Sequence, residues 1–299
     1  MTDVAELNTR FGIPGALTFS EYAGVGFAEV TAAHGRATIA LQGAQVIAWA
    51  PDGEKPVIWL SNDAKFVPGK SVRGGAPVCW PWFGTHASES GYPAHGYART
   101  VPWRVTRAGP LIDGRVRLAF ELIENDITRR QWPHASPVEL HVTVSNTLEL
   151  ELVTRNAGKK PLTLTEALHT YFAVGDVRKV KVNGLDGAEY LDKVGAAQRR
   201  QQIGPVLFTG ETDRVYVNTE AECIIDDAEW QRRIHITKSG SHSTVVWNPW
   251  IDKAKKMGDM GEDGYLGMVC VESANTAENA VTLAPGAEHR LSVGYRVAK

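Results

Sequence analysis

Apolar residues recur at every second position over much of the chain. Val138, Leu140, Val142 and Val144 alternate with polar neighbours, and Leu148, Leu150 and Leu152 do the same after Ser145-Asn146-Thr147. Successive side chains of a strand point to opposite faces, so this pattern predicts a hairpin with one wet face and one buried face. Val116, Leu118, Phe120 and Leu122 form another such run, and Leu291, Val293, Tyr295 and Val297 form the last. Ile39, Leu41 and Val46-Ile47-Ala48-Trp49 read as early strands around Gly43. Helical spacing is scarce. Asp3 can cap one short helix that puts Val4, Leu7 and Phe11 on a common face. The 29 glycines and 15 prolines punctuate the rest. Many short strands with such punctuation predict an all-β fold, one large antiparallel β-sandwich with few short helices, and argue against βαβ units. No repeat, low-complexity linker or compositional shift marks a boundary, so residues 1–299 read as a single domain.

Composition narrows the function classes. With 43% hydrophobic residues, the chain can bury a large core. Lys plus Arg number 32 against 34 Asp plus Glu, a net charge of -2, so a nucleic-acid partner is not expected and any electropositive site must be local. No stretch approaches the ~20 apolar residues of a membrane span. Met1-Thr2-Asp3-Val4-Ala5-Glu6 has neither a basic start nor an apolar run, so no signal peptide is expected and the chain reads as cytoplasmic. Cys79, Cys223 and Cys270 are far apart and form no CxxC pair, which fits reduced thiols. Cys79 is either a reactive thiol or a small buried hydrophobe. No apolar stripe is left over beyond the strands, which predicts a monomer.

The densest concentration of binding chemistry is Trp80-Pro81-Trp82-Phe83-Gly84, set between Arg73-Gly74-Gly75 and Ala94-His95-Gly96-Tyr97-Ala98-Arg99. Aromatic faces suit the apolar faces of a sugar ring, and arginine forks suit phosphate. Thr163 to Phe172 reads as one strand, with His169 and Tyr171 on the same face. His169 is either a proton carrier near neutrality or a half-buried histidine bonded to backbone. Met268-Val269-Cys270-Val271 reads as an apolar strand ending at Glu272, which is either a base with its pKa raised by desolvation or an exposed strand-end carboxylate. Val245-Val246-Trp247-Asn248-Pro249-Trp250 reads as a strand running into an aromatic turn. Asp213 either accepts sugar hydroxyls or caps a turn. The segment Asp259-Met260-Gly261-Glu262-Asp263-Gly264 fails as a calcium loop, since Cys270 stands where a bidentate Glu belongs. HExxH, zinc patterns, GxGxxG, GxSxG and the P-loop are all missing, so neither a metal nor a cofactor is expected.

Taken in order, Arg73-Gly74-Gly75, Val78 to Gly84, His95-Gly96 with Arg99, Ala167 to Phe172, Trp247-Asn248-Pro249 and Val271-Glu272 resemble the D-hexose-6-phosphate mutarotases of the aldose 1-epimerase superfamily. The resemblance runs from about Gly12 to the C-terminus. It implies a large β-sandwich with a sugar bound in a cleft across one sheet, His169 as acid and Glu272 as base. It further implies ring contacts from His95, Asp213 and the aromatics Trp82, Phe83 and Trp247, and a phosphate grip by Arg73 and Arg99. The expected partner is a small sugar phosphate, glucose 6-phosphate foremost, and the expected reaction is interconversion of its α and β anomers by ring opening and closure. In that scheme Glu272 is ionised and His169 protonated, each favouring the other's charge. A non-catalytic carbohydrate-binding module and a glycosidase remain the alternatives; the second needs two carboxylates flanking the bond.

Overall fold

A computed structural model describes residues 3–299, so Met1 and Thr2 of the N-terminal reading lie outside the described residues. Strands dominate, as the alternation predicts. The largest sheet has nine antiparallel strands in the order 206–207, 180–183, 223–227, 232–239, 288–298, 147–155, 138–144, 116–122 and 103–110. The hairpin read from the sequence lies within it: Val138–Val144 pairs with Thr147–Arg155, Leu140 facing Leu152 and Val142 facing Leu150. The C-terminal strand Glu288–Ala298 lies against Thr147–Arg155 on one side and Arg232–Ser239 on the other.

A second sheet runs 198–201, 189–192, 212–216, 243–248, 268–275, 166–168 and 78–79, and 171–173 also pairs with 268–275. A four-stranded meander, Leu17–Tyr22 through Gln45–Pro51, completes the frame with a two-stranded pair, Leu162–Leu164 and Val281–Leu283. One core cluster draws Leu140, Leu150 and Leu291 from the nine-stranded sheet, Leu168, Val246 and Val271 from the second sheet, and Ile39, Val46 and Trp49 from the meander. This is the sandwich filling, and burial of its apolar surface at about 25 cal/mol per Å² drives the assembly.

Helices are few. α1 (Val4–Phe11) is capped by the Asp3 carboxylate, which accepts from the N–H groups of Ala5 and Glu6, as the sequence predicts. Two more α-helices were not foreseen: α2 (Asp126–Gln131), which Asn125 caps, and α3 (Trp250–Met257), which follows the strand Ser243–Asn248 directly. The aromatic turn expected after Asn248 is therefore a helix start, with the Asn248 side-chain oxygen accepting from the Trp250 N–H. Two other expectations are corrected. Thr163 to Phe172 is three short strands, broken at Thr165, where the partner changes from 281–283 to 273–275, and at His169-Thr170, where the backbone N–H groups donate to Pro77 O and Leu168 O while the register on 268–275 continues. Glu272 is not at a strand end. The strand runs on to Asn275, all eight of its residues buried between two neighbours.

Candidate active site

Strand alternation sorts the second sheet into two faces. Val246 and Val271 enter the main core, while Val215, Val245, Trp247 and Cys270 belong to a second cluster on the opposite face, packed against Ala254 of α3 and the following Met260 and Tyr265. Beside that cluster the face opens into a cleft of about 440 Å³. Register then places the chemistry. Trp247 pairs with Asp213 on one side and Cys270 on the other, and Cys270 faces Tyr171. In the next row Val245 pairs with Val215 and Glu272. The same register carried through the break puts His169 across from Glu272. The two functional groups, a hundred residues apart in sequence, are direct cross-strand neighbours.

His169 Nε2 lies 3.3 Å from Glu272 Oε1, with the two side chains 10% and 1% exposed. The backbone N–H of His169 donates to Pro77 O at 2.9 Å, which ties the break to the loop before Val78. The imidazole stacks on Tyr171 at 5.0 Å and 13°, and Tyr171 stacks on Trp59 at 5.8 Å and 17°. Arg73 Nη1 donates to the Tyr171 hydroxyl at 2.9 Å, and Arg73 Nε donates to Asp259 at 3.0 Å. The rejected calcium loop thus supplies the counter-ion of a cleft arginine.

The glycine turns are required by close approach. Gly74 has φ 107°, and a Cβ there would lie 2.6 Å from the Trp59 carbonyl oxygen. Gly96 has φ 70°, and its Cβ would fall 2.0 Å from Trp80 O. His95 beside it adopts φ 65°, a conformation that non-glycine residues rarely hold and that clusters at functional sites. Its backbone N–H donates to Gly84 O at 2.7 Å, and its Nδ1 accepts from the Gly84 N–H at 3.4 Å. A neutral His95 therefore carries its proton on Nε2, the side-chain nitrogen left to donate.

Most residues singled out from the sequence meet here: Arg73, Phe83, His95, Arg99, His169, Asp213, Trp247 and Glu272 all line the cleft. Trp82 does not. Its indole stacks on Tyr92, donates to Pro93 O at 2.9 Å and belongs to the main core, because its neighbour Phe83 takes the opposite side and faces His95. Asp213 sits within the strand Thr212–Tyr216 rather than capping a turn. Lys193 and Lys253 also line the cleft and were not foreseen. Nothing in a glycine-bearing turn or an amphipathic helix marks a lysine as special. A larger groove of about 800 Å³ lies between α1, α2 and the strand Trp103–Pro110, but no histidine or cysteine lines it.

The aldose 1-epimerase family model matches residues 28–296. The chain belongs to the aldose 1-epimerase family. An Escherichia coli K12 protein named as a candidate glucose-6-phosphate 1-epimerase is 41% identical over 265 residues, 88% of this chain and 87% of its own length. A Salmonella typhimurium LT2 protein of the same name is 43% identical over 239 residues, 80% of this chain and 79% of its own. The crystal structure of a Salmonella typhimurium mutarotase candidate superposes with a TM-score of 0.89 at 38% identity, covering 96% of this chain and 95% of that one. A galactose mutarotase-like protein from Lactobacillus casei shares the fold, with a TM-score of 0.71 at 15% identity.

Electrostatics revise the expected charge state of this aldose 1-epimerase pair. Burial pushes the Glu272 carboxyl well above its usual range, and nearby Asp213 pushes the same way. Burial pushes the His169 imidazole well below its usual value, and His95, Arg99 and Arg73 add to this. Both shifts run against the ion pair expected from sequence and favour a neutral acid beside a neutral imidazole, because desolvation opposes both charges. His95 is pushed down to about 3 by burial and by Arg99, Lys193 and Arg73, so it too is neutral. Burial also raises Asp213, against the opposing pull of Lys253 and Lys193. Three buried polar atoms of the cleft have no hydrogen-bond partner: His169 Nδ1, Glu272 Oε2 and Arg99 Nε. Arg73 and Lys253 are ion-paired, to Asp259 and to Glu211, whereas Arg99 and Lys193 form no ion pair among the described residues. Two cations thus remain available to an anionic ligand.

Proposed function

We propose that this chain interconverts the α and β anomers of a hexose 6-phosphate, glucose 6-phosphate foremost, as an isomerase that moves protons alone. The observation that carries this reading is the His169–Glu272 pair: 3.3 Å apart, buried, in register across two strands and each with an unpartnered polar atom. The names of the relatives and the unpaired cations of the cleft support the phosphate. The same proposal treats residues 1–299 as one domain, supported by a core cluster that runs from Leu17 to Tyr295. It places the protein in the cytoplasm, supported by three buried cysteines without disulfides, and takes it as a monomer.

Opening a hemiacetal ring removes a proton from the C1 hydroxyl and delivers one to the ring oxygen. Glu272 is the base at the hydroxyl and His169 the acid at the ring oxygen. The neutral pair of the empty protein holds one proton, on Glu272. Shifting that proton to His169 yields the carboxylate and imidazolium that start ring opening, and ring opening returns the pair to its neutral form. Both forms carry the same proton count, so no proton is exchanged with solvent during turnover. A phosphate dianion offsets the positive charge of Arg99, which lowers His169 and Glu272 alike, so it raises both groups and favours the shift only as far as it acts more strongly on His169. The open chain turns about its C1–C2 bond and recloses with the two roles reversed. Each positioned acid or base supplies on the order of 10²–10⁴ in rate.

His95, neutral with Nε2–H free, donates to a ring substituent. Trp247 and Phe83 offer apolar surface to the pyranose. Arg99 and Lys193, with Arg73 behind them, hold the phosphate away from C1 and fix the ring's orientation.

Exchange NMR on glucose 6-phosphate, with free glucose and galactose alongside, tests the proposal. Acceleration of α/β exchange that is lost in His169→Ala supports it. Binding without acceleration would return the chain to the carbohydrate-binding class, and release of sugar from a glycoside would make it a hydrolase.

A further inference from the structure

We propose that His169, Cys270 and Glu272 form an inhibitory site for a thiophilic divalent cation, zinc foremost. A ring nitrogen, the Cys270 Sγ and a carboxylate oxygen all lie within 4.8 Å of one another, and all three residues are buried. The grouping follows from the strands. Cys270 and Glu272 are two apart on one strand and share a face, and His169 stands across from Glu272. Tetrahedral zinc binds N and O at about 2.0–2.2 Å and S at about 2.3 Å, which separates its donors by about 3.3–3.7 Å. His169 and Glu272 already meet that spacing at 3.3 Å. The widest gap in the set closes by about 1 Å, within reach of small side-chain rotations.

A second observation points to a ligand here. His169 Nδ1 and Glu272 Oε2 have no hydrogen-bond partner, although the residues are only 8% and 1% exposed. An imidazole, a thiolate and a carboxylate suit zinc or cobalt and do not suit magnesium or calcium, which take all-oxygen sets. The charges close as well. One divalent cation with one thiolate, one carboxylate and a neutral imidazole sums to zero, so Arg73, Arg99 and Lys193 do not expel the loaded cluster. The cleft supplies the fourth coordination position. Cys270 does not line the cleft and has no part in the proton transfers, so it belongs to the ion site alone. A bound ion locks the two groups that must move the proton, and so it competes with sugar.

Cobalt titration of the whole protein reads this without reference to turnover. Wild type should show a thiolate-to-cobalt charge-transfer band at one equivalent, displaced by zinc, and zinc should stop anomer exchange over the same range. Cys270→Ala should lack the band, keep exchange and need at least about tenfold more zinc for inhibition. Cys270→Ser, closer in volume, repeats the test if the alanine variant folds poorly. A missing band in wild type, a band that survives both substitutions, or faster exchange with metal would overturn the proposal. The spectrum separates it from the proposed reaction: a band in a protein without exchange sinks the reaction only, and exchange without a band sinks the ion site only.

Discussion

Glu272→Gln should remove activity and gain stability relative to wild type as pH rises. The folded state keeps a proton on Glu272 that the unfolded chain releases above the ordinary 4.5. A carboxyl whose folded pKa is raised binds more protons in the native state, so it subtracts stability as pH climbs, by about 1.4 kcal/mol per unit until the folded carboxyl itself ionises. Between pH 5.5 and 7.5 this cost grows by at most about 3 kcal/mol. Glutamine does not titrate and carries none of it. It keeps the shape and leaves an unpaired amide where Oε2 stood, an offset common to every pH. The assay is therefore a difference of differences: urea unfolding of both proteins at pH 5.5 and at pH 7.5, comparing the gap between them. The variant should gain on wild type by up to about 3 kcal/mol across that range. Exchange NMR on the same samples should show a loss on the order of 10²–10⁴, about 3–5 kcal/mol of barrier. A gap that stays constant or narrows with pH would mean that Glu272 ionises like an ordinary carboxylate in the fold, and the neutral pair would be refuted.

Other expectations are quicker to check. Burial drives Glu272 up and His169 down, so the proton that the pair shares is held on the carboxyl rather than on an ordinary imidazole. The rate on glucose 6-phosphate should stay level from about pH 7 to about pH 8, above the phosphate's own titration near 6, whereas a tenfold fall would signal an ordinary imidazole acid. Arg99→Ala should lower kcat/KM for glucose 6-phosphate by roughly 10- to 100-fold, the worth of a charged hydrogen bond, with little change for free glucose. Equal losses on both sugars would make Arg99 structural. Arg73→Ala should hurt both sugars, since Arg73 also holds the Tyr171 hydroxyl behind His169; a phosphate-only effect would contradict that. Asp259→Asn should raise KM for the phosphate ester by several-fold at unchanged kcat, by loosening the Arg73 side chain; a fall in kcat instead would point to a role at the reacting carbon.

Much of the sandwich is legible because alternation and burial are one phenomenon. Leu140 and Leu152 read as facing residues of a hairpin and do face each other in the core. From local pattern His169 and Glu272 were legible only as types with two possible fates, and it was the family resemblance that named them acid and base. Their meeting depends on pairing between strands a hundred residues apart, which no local period encodes. The break at His169 was hidden for a related reason: uninterrupted alternation from Thr163 to Tyr171 says nothing of a backbone N–H that donates to Pro77 O instead of to the neighbouring strand. Trp82 was misplaced because an aromatic in a proline-glycine loop carries no parity to say which side it takes. Lys193 was invisible because its importance is a place in the cleft without an ion pair among the described residues, and only the fold reveals that.

The charge state follows the same logic. Opposite charges in sequence suggest an ion pair, since attraction at 3.3 Å is large. In the fold both groups are taken out of water, and the cleft is ringed by Arg73, Arg99 and Lys193. Cations that a phosphate needs are cations that an imidazolium avoids. Burial therefore favours the proton on the carboxyl, and the phosphate that those cations attract weakens a field that lowers both His169 and Glu272. A free sugar brings no such charge, so the effect of the phosphate reaches kcat as well as KM to the extent that it acts unequally on the two groups.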